Sequence, residues 1–241
     1  MLYWVIKAVL TPILRGLFRV KVEGRGHIPP HGPVILAANH NSFLDSIFLP
    51  LVLRRRVTFV AKAEYFDSWK SRWFFKGVGQ IPIRREGGSA SERALASARE
   101  VLREGGVFGI YPEGTRSRSG KLHKGHTGVA RLSLRSGAPI VPVGLVGTRD
   151  CQPPDRTMPK FFTPITIRFG EPLDFSRYAG REDDRLVLRQ ITDEVMFELR
   201  ELSGQEYEDT YATKKAEDLP SESVIVTTLP TEPVPEAAAV A

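Results

Sequence analysis

Val34-Ile35-Leu36-Ala37-Ala38-Asn39-His40-Asn41-Ser42-Phe43-Leu44-Asp45 is the stretch of this chain that determines its fold. The first five residues form an unbroken apolar run, which is typical of a strand buried on both faces. Ser42 begins a helical pattern with Asp45 three positions later, a variant of the capping box at a helix start. The stretch therefore predicts a buried strand that turns directly into a helix, with an imidazole in the turn.

Apolar runs of this kind recur along the chain, separated by segments with helical spacing. The predicted strands are 17–23, 34–38, 57–61, 81–84, 107–111, 140–146 and 165–169. The predicted helices are 43–53, 69–76, 89–103, 125–136 and 183–202. This alternation predicts an α/β fold with a mixed, largely parallel central sheet of about seven strands, flanked by helices. Pro142 predicts an edge strand or a bulge, because proline cannot donate a ladder hydrogen bond.

Residues 1–18 are predicted to form an amphipathic helix that lies in a membrane interface. The segment is rich in apolar and aromatic residues, is interrupted by Lys7, Pro12 and Arg15, and is followed by Arg19. Aromatic side chains at headgroup depth and cations near acidic lipid are typical of interfacial helices. A bilayer span takes roughly 20 apolar residues, and this run is shorter. The alternative is an N-terminal helix packed on its own domain.

Charge divides the chain into a basic part and an acidic end. The net charge is +6 over 241 residues, but residues 205–241 carry −6 and residues 1–204 therefore carry +12. The basic part favours an anionic partner: a phosphorylated substrate, an acidic lipid surface or nucleic acid. The segment 204–241 is acidic, contains prolines and lacks the periodicity of a core, so it is predicted to be a disordered tail. The single cysteine, Cys151, favours a reducing, cytoplasmic setting.

His40 and Asp45 form the first candidate site. In the functional interpretation, Asp45 accepts a hydrogen bond from the Nδ1–H of His40, which leaves Nε2 free as a general base. In the structural interpretation, Asp45 only accepts a backbone N–H at the start of the helix. A metal site is a third option, but catalytic zinc usually has about three protein ligands and no third ligand lies nearby in the sequence.

Tyr111-Pro112-Glu113-Gly114-Thr115-Arg116-Ser117 is the second candidate, because it follows another apolar run at a predicted strand end. Gly114 permits a close backbone approach, so N–H groups there could bind a phosphate or a developing oxyanion. Arg116 can bind a phosphate bidentately. A base with its carboxylate, backbone donors and an anion-binding arginine are what acyl transfer to a phosphate-bearing alcohol requires. The alternative is a turn with solvated charges.

Three basic residues are weaker phosphate candidates. Arg84 ends the predicted strand 81–84 and Arg85 follows it, with side chains pointing opposite ways, and Lys62 follows the strand 57–61. For all three, charges at a strand end are the alternative. His123 and His126 are explained by loop polarity rather than by a metal.

Taken together, these segments resemble the phospholipid/glycerol acyltransferase family, and within it the bacterial 1-acylglycerol-3-phosphate acyltransferases. The resemblance covers residues 34–147, with four ordered blocks at 39–45 (the H-x4-D pair), 79–85, 111–117 and 138–147. It implies an acyltransferase domain over 19–203. Such a domain would move a fatty acyl group from acyl-CoA or acyl-acyl carrier protein to the free hydroxyl of lysophosphatidic acid, giving phosphatidic acid.

The resemblance also implies roles for individual residues. His40 would be the general base and Asp45 would orient it. The glycerol phosphate would be bound by Arg85, Glu113, Gly114, Thr115, Arg116 and Lys62, and the acyl donor would lie near Pro139, Val141 and Pro142. Arg84 departs from the family, which often has an acidic or small residue at that place. No metal or redox cofactor is implied, since the acyl thioester is a co-substrate.

The implied setting is peripheral, on the cytoplasmic face of the plasma (inner) membrane, with membrane lipid as partner and acyl carrier protein as a possible donor. Three alternatives stay open on the sequence. The acceptor could be glycerol 3-phosphate or another lysophospholipid. The protein could bind acidic lipid at a membrane surface without catalysis. Nucleic-acid binding is suggested by charge alone, without a basic patch interleaved with aromatic residues, so no nucleic-acid partner is expected.

Overall fold

The computed structural model describes residues 2–67, 72, 75, 77–83 and 90–212. The strands are β1 (Arg19–Glu23), β2 (Val34–Ala38), β3 (Val57–Thr58), β4 (Val60–Lys62), β5 (Ile81–Ile83), β6 (Val107–Ile110), β7 (Leu122–His123), β8 (Ile140–Val146), β9 (Pro164–Phe169) and β10 (Tyr207–Glu208). The helices are α1 (Leu2–Leu17), α2 (Asp45–Val52), α3 (Ala90–Arg103), α4 (Gly128–Ser136), α5 (Thr148–Cys151) and α6 (Arg185–Ser203).

The central sheet has the strand order β1-β9-β8-β2-β6-β3. All neighbouring strands are parallel except β8 and β9, which are antiparallel. The apolar run 34–38 is therefore an interior strand, β2, and all five of its residues are buried. A mixed, largely parallel α/β sheet is confirmed.

The sheet has six strands rather than about seven, because two predicted strands are arranged differently. The run 57–61 breaks at Phe59 into β3, which joins the central sheet, and β4, which does not. The Phe59 carbonyl accepts a hydrogen bond of 2.8 Å from the Ile81 N–H. This bond begins a separate two-stranded ladder in which β4 pairs with β5. Arg84, the last residue of the predicted strand, lies outside the described residues.

β8 lies inside the sheet, between β9 and β2, so the prediction of an edge strand at Pro142 is wrong. The ladder accommodates the proline by a shift of register. Val143 pairs with Phe169, whereas Ile140 pairs with Leu173, so two residues of β8 face three residues of the neighbouring segment. This is a bulge, which was the second alternative predicted for Pro142.

Helices cover both faces of the sheet. Alternate residues of a strand point to opposite faces, and those of β2 divide accordingly. Val34, Leu36 and Ala38 belong to a core formed with α1 and α2, whereas Ile35 and Ala37 belong to a core formed with α3, α4 and α6. The predicted helices 43–53, 89–103, 125–136 and 183–202 are confirmed, with ends that differ by at most three residues. Most of the predicted helix 69–76 lies outside the described residues.

The N-terminal helix α1 has two different faces and continues through Pro12. One face packs on α2: Tyr3 and Ile6 are buried, and the Lys7 ammonium donates to the carbonyls of Pro50 and Leu53 at the end of α2. The other face exposes large apolar side chains, Leu2, Trp4, Val5, Val9 and Ile13. Among the helices of the described residues, none has both the length and the apolar character needed to cross a membrane.

The C-terminal segment predicted to be disordered from residue 204 is ordered at its start, which corrects that boundary. Tyr207–Glu208 forms β10, which pairs in parallel with β7. The backbone of Leu122 donates to the Glu206 carbonyl, and that of Lys124 donates to the Thr210 carbonyl. Short strands of this kind have no periodicity to detect, because their partner decides their structure. Residues 213–241 lie outside the described part of the chain.

Candidate active site

The two sequence motifs meet at one edge of the sheet. β2 and β6 are parallel neighbours, with Ala37 opposite Ile110, so both chains leave the sheet at the same end. The turn 39–45 follows β2 and the turn 111–117 follows β6. A hydrogen bond of 2.7 Å from the Ser117 N–H to the His40 carbonyl joins them. This edge, at the carboxyl ends of parallel strands, is where α/β folds commonly bind ligands.

His40 and Asp45 form a hydrogen-bonded pair, 2.9 Å between Nδ1 and Oδ2. The same Oδ2 accepts the backbone N–H groups of Asn41 (2.7 Å) and Ser42 (2.8 Å). One oxygen therefore orients the imidazole and holds the backbone of the turn before α2, whereas α2 itself has no side-chain hydrogen bond at its N-cap, Leu44. The Asp45 side chain is fully buried, and that of His40 is 15% exposed. Within the described residues no hydrogen bond engages Nε2 of His40, and the residue lines a cavity.

Aromatic stacking fixes the plane of the imidazole. The His40 ring lies on the Tyr111 ring, with centroids 3.8 Å apart and planes 9° apart, and Phe59 stacks behind Tyr111 at 5.4 Å. The Tyr111 hydroxyl and the Ser46 hydroxyl share a hydrogen bond of 2.8 Å. Burial, reinforced by the Asp45 charge, raises the pKa of Tyr111 well above its ordinary value. Tyr111 is therefore a neutral platform for the histidine.

Glu113 supports the backbone of the site. The side chain is 1% exposed, and its two oxygens accept the N–H groups of His40 (3.1 Å) and His123 (3.0 Å). Burial raises the pKa of this carboxyl from 4.5 to about 7, although the two backbone hydrogen bonds oppose the shift. The resemblance implied that Glu113 contacts substrate, but its buried oxygens face the protein backbone instead.

Gly114, Thr115 and Arg116 line the same cavity as His40. Gly114 has a φ of 74°, a left-handed conformation that side chains with a Cβ rarely adopt, so the turn depends on this glycine. The Arg116 guanidinium donates 3.2 Å to the Pro154 carbonyl, which holds it at the cavity rim. The cavity has a volume of about 230 Å³, and apolar side chains form much of its wall, including Phe43, Ile47, Val60, Leu95 and Ile110.

Three other predicted site residues, those expected near the acyl donor, do not line this cavity. Pro139, Val141 and Pro142 lie at and within the start of β8, an interior strand, and Val141 is fully buried opposite Leu36. Their apolar pattern reflects the core rather than a donor site. Arg85 and the Lys62 side chain lie outside the described part of the structure. Within the described ranges, no group of three or more His, Cys, Asp and Glu side chains is placed to hold a metal ion.

Gln205 is a supporting residue that the sequence reasoning missed. Its amide oxygen accepts from Asn39 (2.6 Å), and its amide nitrogen donates to Asn41 (3.1 Å) and to the Gly120 carbonyl (2.7 Å). It therefore bonds to the residues on both sides of His40. Asn39 in turn bonds the backbone of Leu145 through both side-chain atoms. Gln205 stands 165 positions after His40 in a segment without periodicity, so only the pairing of β10 with β7 places it here.

Comparison with known proteins gives consistent matches. The family model described as Acyltransferase matches residues 19–146. The chloroplastic 1-acyl-sn-glycerol-3-phosphate acyltransferase LPAT1 of Arabidopsis thaliana is 29% identical over 137 residues, which cover 56% of this chain and 38% of that protein. The 1-acyl-sn-glycerol-3-phosphate acyltransferase of Bacillus subtilis (strain 168) is 30% identical over 144 residues, which cover 59% of this chain and 68% of the bacterial protein.

A solved structure is also similar. The crystal structure of PlsC, the 1-acyl-sn-glycerophosphate (LPA) acyltransferase of Thermotoga maritima, matches with a TM-score of 0.62 and 26% identity. The match covers 83% of this chain and 78% of that one. This chain spans about two fifths of the length of the two chloroplastic relatives that it matches, from Arabidopsis thaliana and Brassica napus.

Proposed function

Because the chain belongs to the Acyltransferase family, we propose that it transfers a fatty acyl group from an acyl thioester to the free hydroxyl of lysophosphatidic acid, giving phosphatidic acid. The observation that carries this proposal is the His40–Asp45 pair: among the described residues none forms a hydrogen bond with Nε2, and His40 lines the same cavity as the 114–116 turn. A protein that only binds lipid has no need of an oriented imidazole. The catalytic pair therefore favours transfer over binding alone.

In the proposed reaction, Nε2 of His40 takes the proton of the acceptor hydroxyl as its oxygen attacks the thioester carbonyl carbon. The buried Asp45 carboxylate stabilises the imidazolium that forms. When the tetrahedral intermediate collapses, the carbon–sulfur bond breaks and the thiolate takes the proton from His40. An ester and a free thiol result. Direct transfer is expected, because the sequence has no nucleophile elbow to form an acyl-enzyme.

The acceptor phosphate is proposed to lie against Gly114, Thr115 and Arg116, which line the cavity beside His40. Backbone N–H groups of such a turn can also bind the developing oxyanion. Arg85 and Lys62 are proposed as further phosphate ligands on the strength of the family resemblance. The apolar wall is proposed to hold the acyl chain, in place of Pro139, Val141 and Pro142.

The donor is proposed to be acyl-CoA or acyl-acyl carrier protein, and no metal or redox group takes part in the proposed reaction. The protein is proposed to act as a peripheral membrane protein on the cytoplasmic face of the inner membrane. The exposed apolar face of α1 supports this location, because such a face is suited to the boundary between headgroups and acyl chains. The excess of basic residues over 1–204 suits an acidic lipid surface.

The test is acyl transfer by purified protein in detergent or liposomes, with labelled acyl-CoA or acyl-acyl carrier protein and a panel of acceptors. Lysophosphatidic acid should be acylated, and His40→Ala should abolish transfer while the circular-dichroism spectrum stays unchanged. His31→Ala, at an exposed histidine outside the site, is the matched control and should retain full activity. Full activity of a folded His40→Ala protein would refute the mechanism, and transfer only to another acceptor would refute the assignment of lysophosphatidic acid.

A further inference from the structure

The segment between α5 and β9 exposes three large apolar side chains within five residues. Met158 is 66% exposed, Phe161 45% and Phe162 63%. Single exposed apolar residues are normal on protein surfaces, but a cluster marks a surface that meets another apolar phase. The segment therefore has the composition of a contact surface.

Phe162 is also in an unusual backbone conformation. Its φ is 60°, and among the described residues it is the one non-glycine residue with a positive φ. The left-handed region is unfavourable for a bulky side chain, and asparagine or glycine occupies it more readily. Exposure and strain thus fall on the same aromatic residue. Strain of this kind persists only where the surrounding structure holds the residue in place, and strained residues cluster at functional sites.

Hydrogen bonds hold the segment in place at several points. The Phe162 N–H donates to the Leu17 carbonyl (2.7 Å), the Lys160 N–H donates to the Cys151 carbonyl (2.7 Å), and the Thr163 hydroxyl donates to the Lys160 carbonyl (2.7 Å). The exposed side chains are therefore presented by a fixed backbone.

The segment adjoins the apolar face of α1. Leu17, which accepts the Phe162 N–H, is the last residue of α1, and the exposed Ile13 lies four residues earlier, about 6 Å along the helix axis. The Phe161 ring packs against the Phe18 ring, with centroids 5.8 Å apart. The two apolar surfaces therefore adjoin at the end of α1.

The charges around the segment are mainly cationic. Arg156 and Lys160 flank Met158, and Arg15 and Arg19 lie at the neighbouring end of α1; all four are exposed. The acidic residue of the segment, Asp155, forms a salt bridge with Arg118. Apolar side chains surrounded by cations complement an acidic lipid surface, because the cations are attracted to its negative potential.

We propose that Met158, Phe161 and Phe162 insert into an acidic lipid surface beside α1, as a second membrane contact. This inference rests on the proposed membrane location and extends it to a segment that follows the four acyltransferase blocks. The base of the segment touches both motifs of the site: the Gln152 side chain bonds the Ser42 hydroxyl and the Thr157 carbonyl, and Arg116 donates to the Pro154 carbonyl. Insertion would therefore hold the cavity close to the lipid from which the acceptor comes.

The test is sedimentation of the full chain with phosphatidylcholine vesicles containing phosphatidylglycerol, without any acyl donor. Phe162→Asn keeps a residue suited to the left-handed conformation, so we expect unchanged or increased thermal stability and about tenfold weaker vesicle binding. The matched control is Phe197→Asn. Phe197 is 56% exposed on α6, which packs on the opposite face of the sheet, and its loss should leave vesicle binding unchanged.

Removal of the negative charge from the vesicles completes the test. Lys160→Gln should weaken binding to vesicles with phosphatidylglycerol and leave binding to pure phosphatidylcholine unchanged. The inference of membrane insertion would be overturned if Phe162→Asn bound vesicles as tightly as the wild type, or if Phe162→Asn and Phe197→Asn lost vesicle binding equally. A change of oligomeric state without a change in vesicle binding would also overturn it, since the occupant would then be a second copy of the chain. Vesicle binding is measured without acyl transfer. The test of membrane insertion is therefore independent of whether the protein catalyses the proposed reaction.

Discussion

Glu113→Gln should separate stability from activity in this protein. The carboxylate is buried, and its two oxygens accept the backbone N–H groups of His40 and His123. A glutamine has the same shape but one acceptor oxygen, so one of the two N–H groups then faces an NH₂ donor. We expect the variant to fold, and its turnover number to fall about tenfold or more, because the backbone of His40 is no longer fixed.

The stability effect depends on pH, and its sign follows from the raised pKa. The pKa of Glu113 is about 7 in the folded protein against 4.5 as the ordinary value. Between these two pH values the folded state holds the proton more tightly than the unfolded chain does. The contribution of Glu113 to stability is therefore fully present below about pH 4.5 and is lost as the pH rises through about 7. The loss corresponds to about 3 kcal/mol.

Glutamine does not titrate, so this dependence should be absent from the variant. Urea unfolding at pH 5 and pH 8, followed by tryptophan fluorescence, measures it: relative to the wild type, the variant should gain about 3 kcal/mol between these conditions. Glu104→Gln, at an exposed residue just after α3, is the control for loss of one charge. Parallel stability curves for wild type and variant, or full activity of the variant, would refute the reasoning.

Two further variants test the support of the catalytic turn. Gln205→Ala removes the hydrogen bonds to Asn39 and Asn41. We expect kcat to fall about tenfold, the KM for the acceptor to change little, and the free energy of unfolding to fall by about 1 kcal/mol. The control is Gln190→Ala, at an exposed residue of α6, which should change none of these quantities. An equal loss of kcat in Gln205→Ala and Gln190→Ala, or a change confined to KM, would contradict the supporting role of Gln205. Gly109→Ala places a Cβ 2.2 Å from the Phe59 ring. This overpacking should lower the free energy of unfolding in urea by about 1–3 kcal/mol, and it should lower kcat because it displaces the aromatic rings stacked behind His40. The control is Gly128→Ala, whose Cβ meets only a Leu95 methyl at 3.8 Å and should be tolerated. Equal stability of the two alanine variants would show that the ring moves without cost.

The sequence predicted the parts of this fold that depend on local patterns. The run 34–38 is hydrophobic on both faces, so its place inside a sheet could be predicted before its neighbours were known. The His40–Asp45 pair could also be anticipated, since five positions within a short turn between strand and helix leave few geometries. For Pro142 the missing N–H, a local property, indicated an irregular ladder and left an edge strand and a bulge as alternatives; the extra residue lies in the facing segment 170–172.

The remaining features depend on contacts between distant segments. Phe59 ends β3 because its carbonyl pairs with Ile81, 22 residues later, and no periodicity at 57–61 indicates this break. The family resemblance implied that Glu113 contacts the substrate, whereas in the structure its carboxylate accepts the backbone N–H groups of His40 and His123. Val141 lies in a block of the family pattern, but its apolar character serves the core.

The contact between α1 and α2 has a mechanical consequence. α2 is eight residues long, about 12 Å, with Asp45 as its first residue and the carbonyls that receive the Lys7 ammonium at its last turn. α2 thus connects α1, the proposed lipid contact, to Asp45, the proposed partner of the general base. In this proposal, a displacement of α1 would move α2 and with it the carboxylate that orients His40, so attachment to the membrane would be coupled to the position of the general base.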